Sequence, residues 1–138
     1  MKTSIIAAVA LVVLASPAFA QKAAKKKTAS VEISLVGTWT GERERSAKIE
    51  GYRGGLATLV ITEQKGRAFK GYLSRSNADG DEKEELWGSM TPDARLIAGA
   101  DDEGIYSFVL INPNTLDYCY VEAGKAPRAV CARLVRKR

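Results

Sequence analysis

Histidine is absent from this chain of 138 residues, and cysteine and tryptophan occur only twice each. Without histidine, the usual serine–histidine–aspartate and cysteine–histidine catalytic sites cannot form, and a zinc site would lack its commonest ligand. The acidic run at residues 101–103 does not replace these groups, because adjacent side chains on a tight turn diverge. We therefore expect a protein that is not an enzyme and that has no metal and no cofactor.

Segments with the hydrophobic period of an amphipathic helix are almost absent as well. Short runs rich in β-branched and aromatic residues recur instead, separated by turns such as Asp79-Gly80 and Asn112-Pro113-Asn114. Consecutive strands joined by tight turns are antiparallel neighbours, and eight of them close most simply into an up-and-down barrel without exposed edges. The sequence thus predicts an all-β fold, an eight-stranded antiparallel meander barrel. Its strands are expected at residues 31–44, 56–63, 67–76, 82–90, 96–101, 104–111, 115–122 and 128–136.

The first 20 residues have the pattern of a secretory signal peptide. Lys2 precedes an apolar run over residues 5–15, and Ala18-Phe19-Ala20 provides the small-x-small cleavage pattern. The apolar run is too short to cross about 30 Å of hydrocarbon, so we expect no membrane span and a periplasmic or secreted protein. The lysine-rich residues 21–30 predict a flexible basic leader, and residues 31–138 predict a single barrel domain.

The charge of the mature chain is mild. Its 21 basic and 16 acidic residues become 20 and 16 once Lys2 leaves with the signal peptide, a net charge of +4. Acids and bases are interleaved through the part expected to fold, whereas a nucleic-acid binder usually gathers its positive charge on one face. We therefore expect no nucleic-acid partner and a monomer whose partner is an unknown small molecule or protein.

Cys119 and Cys131 lie on the last two predicted strands, and in an oxidising compartment they are expected to form one disulfide in the last hairpin. If they face each other, Asp117 lies opposite Arg133 and the two form an ion pair on the same face as the cysteines. Because residues alternate between the faces of a strand, the other face of this hairpin should point into the barrel. That inward face comprises Leu116, Tyr118, Tyr120, Val130, Ala132 and Leu134.

The motif Gly37-Thr38-Trp39 on the first strand, the eight-stranded meander and a basic residue on the last strand resemble the calycin group, which includes lipocalins and avidins. The resemblance implies a barrel that is closed at the Trp39 end, where a base of the last strand packs on the indole. The face assignment selects Arg136 for this contact, with Arg133 as the alternative if the cysteine face points inward. Gly37, Trp39 and Arg136 are therefore predicted to be structural. Biotin is not an expected ligand, because residues 40–45 lack the polar stretch with asparagine and serine that holds it in avidins.

The loops at the opposite end are where we expect binding residues, because loops on a rigid scaffold commonly carry function. The longest, residues 45–55, is expected to overhang an open mouth, as in the lipocalin plan. Its arginines and tyrosine suit a polar or anionic ligand, or a protein partner. Residues 77–81 hint at a calcium loop, but Asp79-Gly80 between two strands is better explained as a hairpin turn.

The interior is the other place where a ligand is expected. Phe69, Gly71 and Leu73 should point inward, and Gly71 would leave room for a bulky neighbour or a ligand. Trp87 is expected in the core, with a ligand platform as the alternative. The sixth strand is ambiguous, since both of its faces are apolar. The candidate ligand-binding residues are Arg43, Arg45, Tyr52, Arg53, Phe69, Gly71, Trp87, Tyr106, Tyr118 and Tyr120.

Two functions remain open from the sequence. The first is an exported, non-catalytic binding protein that holds a small ligand in the barrel interior or at its mouth. The second is a protein-interaction module, such as an inhibitor of an exported or host hydrolase, that acts through the open-end loops. Fold alone does not decide between them.

Overall fold

The computed structural model describes residues 33–77 and 80–138. The predicted signal peptide, the predicted basic leader and the first two residues of the predicted domain lie outside the described residues. Within the described ranges, no helix is long and apolar enough to cross a membrane. The eight strands are β1 Gly37–Ala47, β2 Gly51–Lys65, β3 Ala68–Asn77, β4 Gly80–Met90, β5 Ile97–Ala100, β6 Gly104–Asn112, β7 Thr115–Glu122 and β8 Arg128–Arg136.

Each strand pairs antiparallel with the next, and β8 pairs with β1, so that the sheet closes into a barrel. The predicted eight-stranded meander is confirmed. The turns after β2, β4 and β6 lie at the Trp39 end, and Gly66 in the first of them has a φ of 59°, which favours glycine. The strands are unequal in length: β5 pairs with β4 only over residues 87–90. Residues 80–86 of β4 therefore extend past the end of β5.

The first hairpin differs most from the prediction. Residues 45–55 are not a long loop, because β1 and β2 pair up to Ala47 and Gly51 and only residues 48–50 form the turn. Gly51, Gly54 and Gly55, which are typical of a loop, lie within β2 instead. A Cβ on Gly55 would lie 3.5 Å from the Arg43 guanidinium and 3.0 Å from the Ser76 carbonyl oxygen. The small residue thus avoids a tight contact with the β3 backbone and lies beside the inward-pointing Arg43.

The registers decide which side chains fill the barrel. Opposed pairs in the last hairpin follow the predicted register, with Cys119 opposite Cys131, and the two form the predicted disulfide. On β6, Tyr106 and Phe108 are buried, whereas the alternative face is exposed. Gly71 points inward as predicted but leaves no room, because a Cβ there would lie 2.0 Å from the Val60 carbonyl oxygen. The main core residues of the half nearer Trp39 are Leu35, Trp39, Leu59, Ile61, Phe69, Leu86, Met90, Ile97, Phe108, Leu116 and Leu134.

The Trp39 end is closed by the segment before β1. The sequence predicts a strand there, but residues 33–36 are not part of the sheet, and Leu35 is buried beneath the barrel. Trp39 Nε1 donates a hydrogen bond to the Leu35 carbonyl oxygen (3.0 Å), and Gln64 Oε1 accepts one from the Leu35 amide (2.7 Å). Gly37 has a φ of 139°, and a Cβ there would lie 2.9 Å from Arg136 Nη1. The chain therefore needs glycine where it turns from residues 33–36 into β1.

Candidate ligand site in the upper half of the barrel

The half of the barrel away from Trp39, here called the upper half, contains three buried arginines. Arg43, Arg45 and Arg75 are 1%, 6% and 1% exposed. The sequence places Arg43 and Arg45 on a solvent-exposed rim, and the structure corrects this: both lie on the inward face of β1, two and three alternations after Trp39. Arg75 was missed, although the inward alternation of Phe69, Gly71 and Leu73 reaches it next.

Three tyrosines complete this layer from the opposite wall. Tyr106, Tyr118 and Tyr120 are buried, and the rings of Tyr106 and Tyr120 lie 4.6 Å apart between centroids. Arg75 reaches across from β3, with its guanidinium 5.6 Å from the Tyr120 ring. We call these six residues the arginine–tyrosine layer: Arg43, Arg45, Arg75, Tyr106, Tyr118 and Tyr120.

Glu84 of β4 links the layer to the barrel mouth. Its carboxylate forms an ion pair with Arg75 Nη2, lies 3.6 Å from Arg128 Nη2 and accepts a hydrogen bond from the Tyr106 hydroxyl at 3.4 Å. Arg128 is also paired with Glu122 at 2.5 Å and with Glu103 at 3.0 Å. Three carboxylates thus surround Arg128, whereas Arg75 has one such contact among the described residues.

Asp101 accepts hydrogen bonds from the layer that its position in an acidic turn does not predict. One carboxylate oxygen accepts a hydrogen bond from the Tyr106 hydroxyl at 2.8 Å, and the other accepts one from the Tyr120 hydroxyl at 3.4 Å. The latter oxygen also accepts hydrogen bonds from the Glu103 and Gly104 amides. The sequence predicts a tight turn at residues 101–103, but Asp101 fixes two rings of the layer as well as the turn itself.

Burial sets the protonation of the tyrosines. It raises the pKa of Tyr118 to about 12, although the nearby charges of Arg43 and Arg75 act in the opposite direction. Burial, with the hydrogen bond to Asp101, raises the pKa of Tyr106 still further. Burial also lowers the pKa of Arg43, and the positive charges of Arg75 and Arg45 add to this effect. The layer therefore combines neutral phenols with closely spaced positive charges.

Several buried donors in the layer make no hydrogen bond to any described residue. They are Arg75 Nε and Nη1, Arg45 Nε and the Tyr118 hydroxyl. Leaving such a group without a partner costs about 1–3 kcal/mol, and more for a charged one. Arg45 has an ion pair with Glu50, but at 3.6 Å and through Nη2 only. The layer is thus polar, buried and incompletely satisfied within residues 33–77 and 80–138.

The structure separates Tyr52, Phe69 and Trp87 from this layer, whereas Arg53 lies at its edge. Tyr52 is 90% exposed on the outside of the first hairpin, and Arg53, also exposed, pairs in register with Arg45. Phe69 lies in the apolar half. Trp87 is 54% exposed on the outer face of β4, so the expectation of a core position is wrong. Leu86 takes the inward place because only one of two adjacent residues can face the core.

Two surface depressions accompany the layer. An opening of about 330 Å³ beside the free upper part of β4 is lined by Glu84 and Trp87 and by residues 101–103. A groove of about 890 Å³ crosses the outer face of β7, β8, β1 and β2 beside the disulfide. The Asp117–Arg133 pair in that groove is bidentate, at 2.7 and 2.8 Å, as the sequence predicts. Since the groove is lined mainly by outward-facing side chains, we place the candidate site at the arginine–tyrosine layer.

No family model matches the chain, and no curated protein matches it. Solved structures match its fold. A protein of unknown function from the DUF3598 family of Nostoc punctiforme has a TM-score of 0.55 and 13% identity over 75% of this chain; the match spans 47% of that protein. An S-type phycobiliprotein lyase from Guillardia theta has a TM-score of 0.53 and 11% identity, covering 75% of this chain and 89% of the lyase. A redesigned β-barrel has a TM-score of 0.52 and 10% identity, covering 75% and 92%. At these identities the likeness concerns the fold alone.

Proposed function

We propose that the protein is an exported, non-catalytic barrel of the calycin type that binds a small polar ligand at the arginine–tyrosine layer. The observation that carries the proposal is the set of buried donors on Arg75, Arg45 and Tyr118 that no described residue satisfies. A folded protein recovers the cost of such groups when a ligand supplies their partners. The resemblance to a phycobiliprotein lyase supports a ligand-handling barrel as far as a shared fold can.

The position of the layer also supports a ligand rather than a purely structural role. An eight-stranded barrel is wide enough to be filled by side chains or to hold one small ligand. The half near Trp39 is filled by apolar side chains, so a ligand would lie in the upper half. There Glu84, with its side chain 24% exposed, borders both the layer and the opening beside β4. That opening brings solvent up to the carboxylate that pairs with Arg75.

The chemistry of the layer supports binding rather than catalysis. A general acid or base works best when its pKa lies near the working pH. The raised pKa values of Tyr106 and Tyr118 put both phenols far from neutral pH. Export is proposed from the pattern of residues 1–20, and the Cys119–Cys131 disulfide fits an oxidising compartment.

Native mass spectrometry of the protein purified from its producing cells tests the proposal. We expect a bound small molecule on the wild type, and a loss of occupancy in Tyr118→Phe, which removes only the unsatisfied hydroxyl. Arg133→Gln on the outer face serves as the matched control and should retain the ligand. An unliganded wild type that also shows no thermal stabilisation by any compound of a polar metabolite set would reject the proposal.

A second function, a protein-interaction module such as a hydrolase inhibitor, is favoured by one observation. The first hairpin displays Ile49 and Tyr52, which are 74% and 90% exposed. Aromatic side chains are common anchors of protein interfaces. The test is inhibition of a panel of exported proteases and glycosidases by the wild type and by an Ile49→Ser, Tyr52→Ser variant. Equal inhibition by both would remove the hairpin as the contact, and no inhibition at all would remove this function.

A further inference from the structure

We infer that the ligand carries an anionic oxygen group, a carboxylate or a phosphate, that binds between Arg75 and Tyr118, and that Glu84 is the resident anion with which it competes. This inference rests on the proposed small-ligand site and names the chemistry of its ligand. It follows from three properties of the layer: the kind of groups left unsatisfied, the charges around them and the contacts of Glu84.

The unsatisfied groups of the layer are donors. Guanidinium nitrogens can only donate, and Arg75 offers Nε and Nη1 while Arg45 offers Nε. The Tyr118 hydroxyl lies within electrostatic range of both Arg43 and Arg75, so any further group placed there meets two positive charges. Carboxylates and phosphates are acceptor-rich and negatively charged, and arginine binds both through paired hydrogen bonds. A neutral donor such as an amine would leave the same nitrogens unsatisfied.

The balance of charge points the same way. Arg45 and Arg75 are almost completely buried, and a buried cation is expensive unless close anions and hydrogen bonds satisfy it. Among the described residues, Glu84 is the one acidic partner of Arg75, whereas Glu122 and Glu103 both pair with Arg128. Glu50 approaches Arg45 only at 3.6 Å, from a side chain that is 42% exposed. Negative charge placed beside Arg75 would therefore be attracted by the buried arginines and repelled by Glu84.

The carboxylate of Glu84 already makes the contacts that a ligand anion would make beside Arg75. Its carboxylate contacts Arg75, Arg128 and the Tyr106 hydroxyl at once, which is the arrangement expected around a bound carboxylate. Its side chain is 24% exposed and borders the opening beside Trp87, so it has space to move toward solvent. A ligand anion would approach Arg75 against the repulsion of this carboxylate. Removing the charge of Glu84 should therefore strengthen anion binding.

The experiment measures inorganic phosphate and citrate binding to the purified protein by calorimetry and by thermal unfolding, with sodium chloride at equal ionic strength as reference. Phosphate and citrate represent the two sources of anionic oxygen. We expect saturable binding by the wild type, at least several-fold tighter binding by Glu84→Gln, and about tenfold weaker binding by Arg75→Gln. Arg133→Gln, which removes a charge from the outer face, should bind as the wild type does.

Two features keep the test decisive. Phosphate raises the melting temperature of proteins in general by exclusion from their surface, so the readout is the difference between variants rather than the rise itself. If Arg75→Gln does not fold, Tyr118→Phe replaces it and should bind about threefold more weakly, in line with the loss of one hydrogen bond.

The outcomes also separate this inference from the proposed function. Equal responses of the wild type, Glu84→Gln and Tyr118→Phe to both anions would overturn the inference of an anion site. A neutral compound that occupies the wild type and is lost from Tyr118→Phe would then leave the small-ligand function standing. The absence of both kinds of binding would overturn the two together.

Discussion

The guanidinium of Arg136 lies 3.9 Å from the ring centroid of Trp39 and joins β8 to β1 at the closed end of the barrel. It also donates hydrogen bonds to the carbonyl oxygens of Val36 (2.5 Å), Ser34 (2.8 Å) and Pro113 (3.1 Å). One side chain therefore fixes the last strand, the segment before β1 and the β6–β7 turn. The sequence predicts the contact with Trp39 but not the three hydrogen bonds to carbonyl oxygens. Those depend on the path of the segment before β1 and of the β6–β7 turn.

Arg136→Ala should destabilise the protein by about 2–3 kcal/mol. The substitution removes a cation–π contact worth about 1 kcal/mol and leaves three carbonyl groups without their donor. Arg136→Lys keeps the charge but not the forked geometry, so its effect should be intermediate. Urea unfolding measures the differences, and Arg138→Ala, an exposed arginine beyond β8, is the control. Equal effects of Arg136→Ala and Arg138→Ala would contradict the anchoring role.

Truncation of the two tryptophans should reduce the stability of the protein by very different amounts. Trp39 is fully buried, and Trp39→Ala should cost about 3–5 kcal/mol. Trp87 is more than half exposed on the outer face, so Trp87→Ala should change stability by about 0.5 kcal/mol or less. Acrylamide quenching of the single-tryptophan variants Trp87→Phe and Trp39→Phe checks the same contrast without relying on stability. Strong quenching of Trp39 would refute its burial.

Alternation and cysteine pairing account for what the sequence predicts correctly. Once Cys119 and Cys131 are placed opposite each other, the period of two assigns Tyr118 and Leu134 to the interior, and both are buried there. The same rule cannot choose between Leu86 and Trp87, which are adjacent and both apolar. Packing against neighbouring strands decides that choice, and a single sequence does not contain it.

The candidate site was only partly predictable because it departs from the usual distribution of residue types between the interior and the surface of a protein. Arginine is rarely buried, so Arg43 and Arg45 read as rim residues and Arg75 was not singled out at all. Gly55 contributed to the error, since a glycine-rich stretch is typical of loops. In this barrel the glycine lies within β2, where it avoids a tight contact with the Ser76 carbonyl oxygen of β3.

Opening the disulfide should lower stability by about 3 kcal/mol. Cys119 and Cys131 are 12 residues apart, and cross-linking a loop of this size restricts the unfolded chain by that amount. Cys131 is exposed on the outer face, so a reductant reaches the bond without prior unfolding. Denaturant unfolding with and without dithiothreitol measures the effect, and the Cys119→Ser, Cys131→Ser variant should match the reduced protein in both conditions. An unchanged midpoint on reduction would contradict the prediction.

Stability should fall as the pH rises from about 10 to about 12, and Tyr118 should account for part of that fall. Burial raises its pKa in the folded protein to about 12, whereas an unfolded tyrosine titrates near pH 10. Between these values the unfolded chain releases the proton and the folded chain keeps it, so each pH unit favours unfolding by about 1.4 kcal/mol for this group. Below pH 10 both states are protonated and the stabilising contribution is complete.

Tyr118→Phe isolates this contribution. The variant lacks the titrating hydroxyl, so its free energy of unfolding should fall less steeply between pH 10 and pH 12, by about 1.4 kcal/mol per unit. The remaining slope has a source in Tyr106, whose pKa is also raised by burial and by its bond to Asp101. Urea unfolding at half-unit intervals of pH provides the slopes, with Tyr52→Phe, on an exposed ring, as the matched control. A slope for Tyr118→Phe equal to that of the wild type would mean that Tyr118 ionises in the folded barrel as readily as in the unfolded chain.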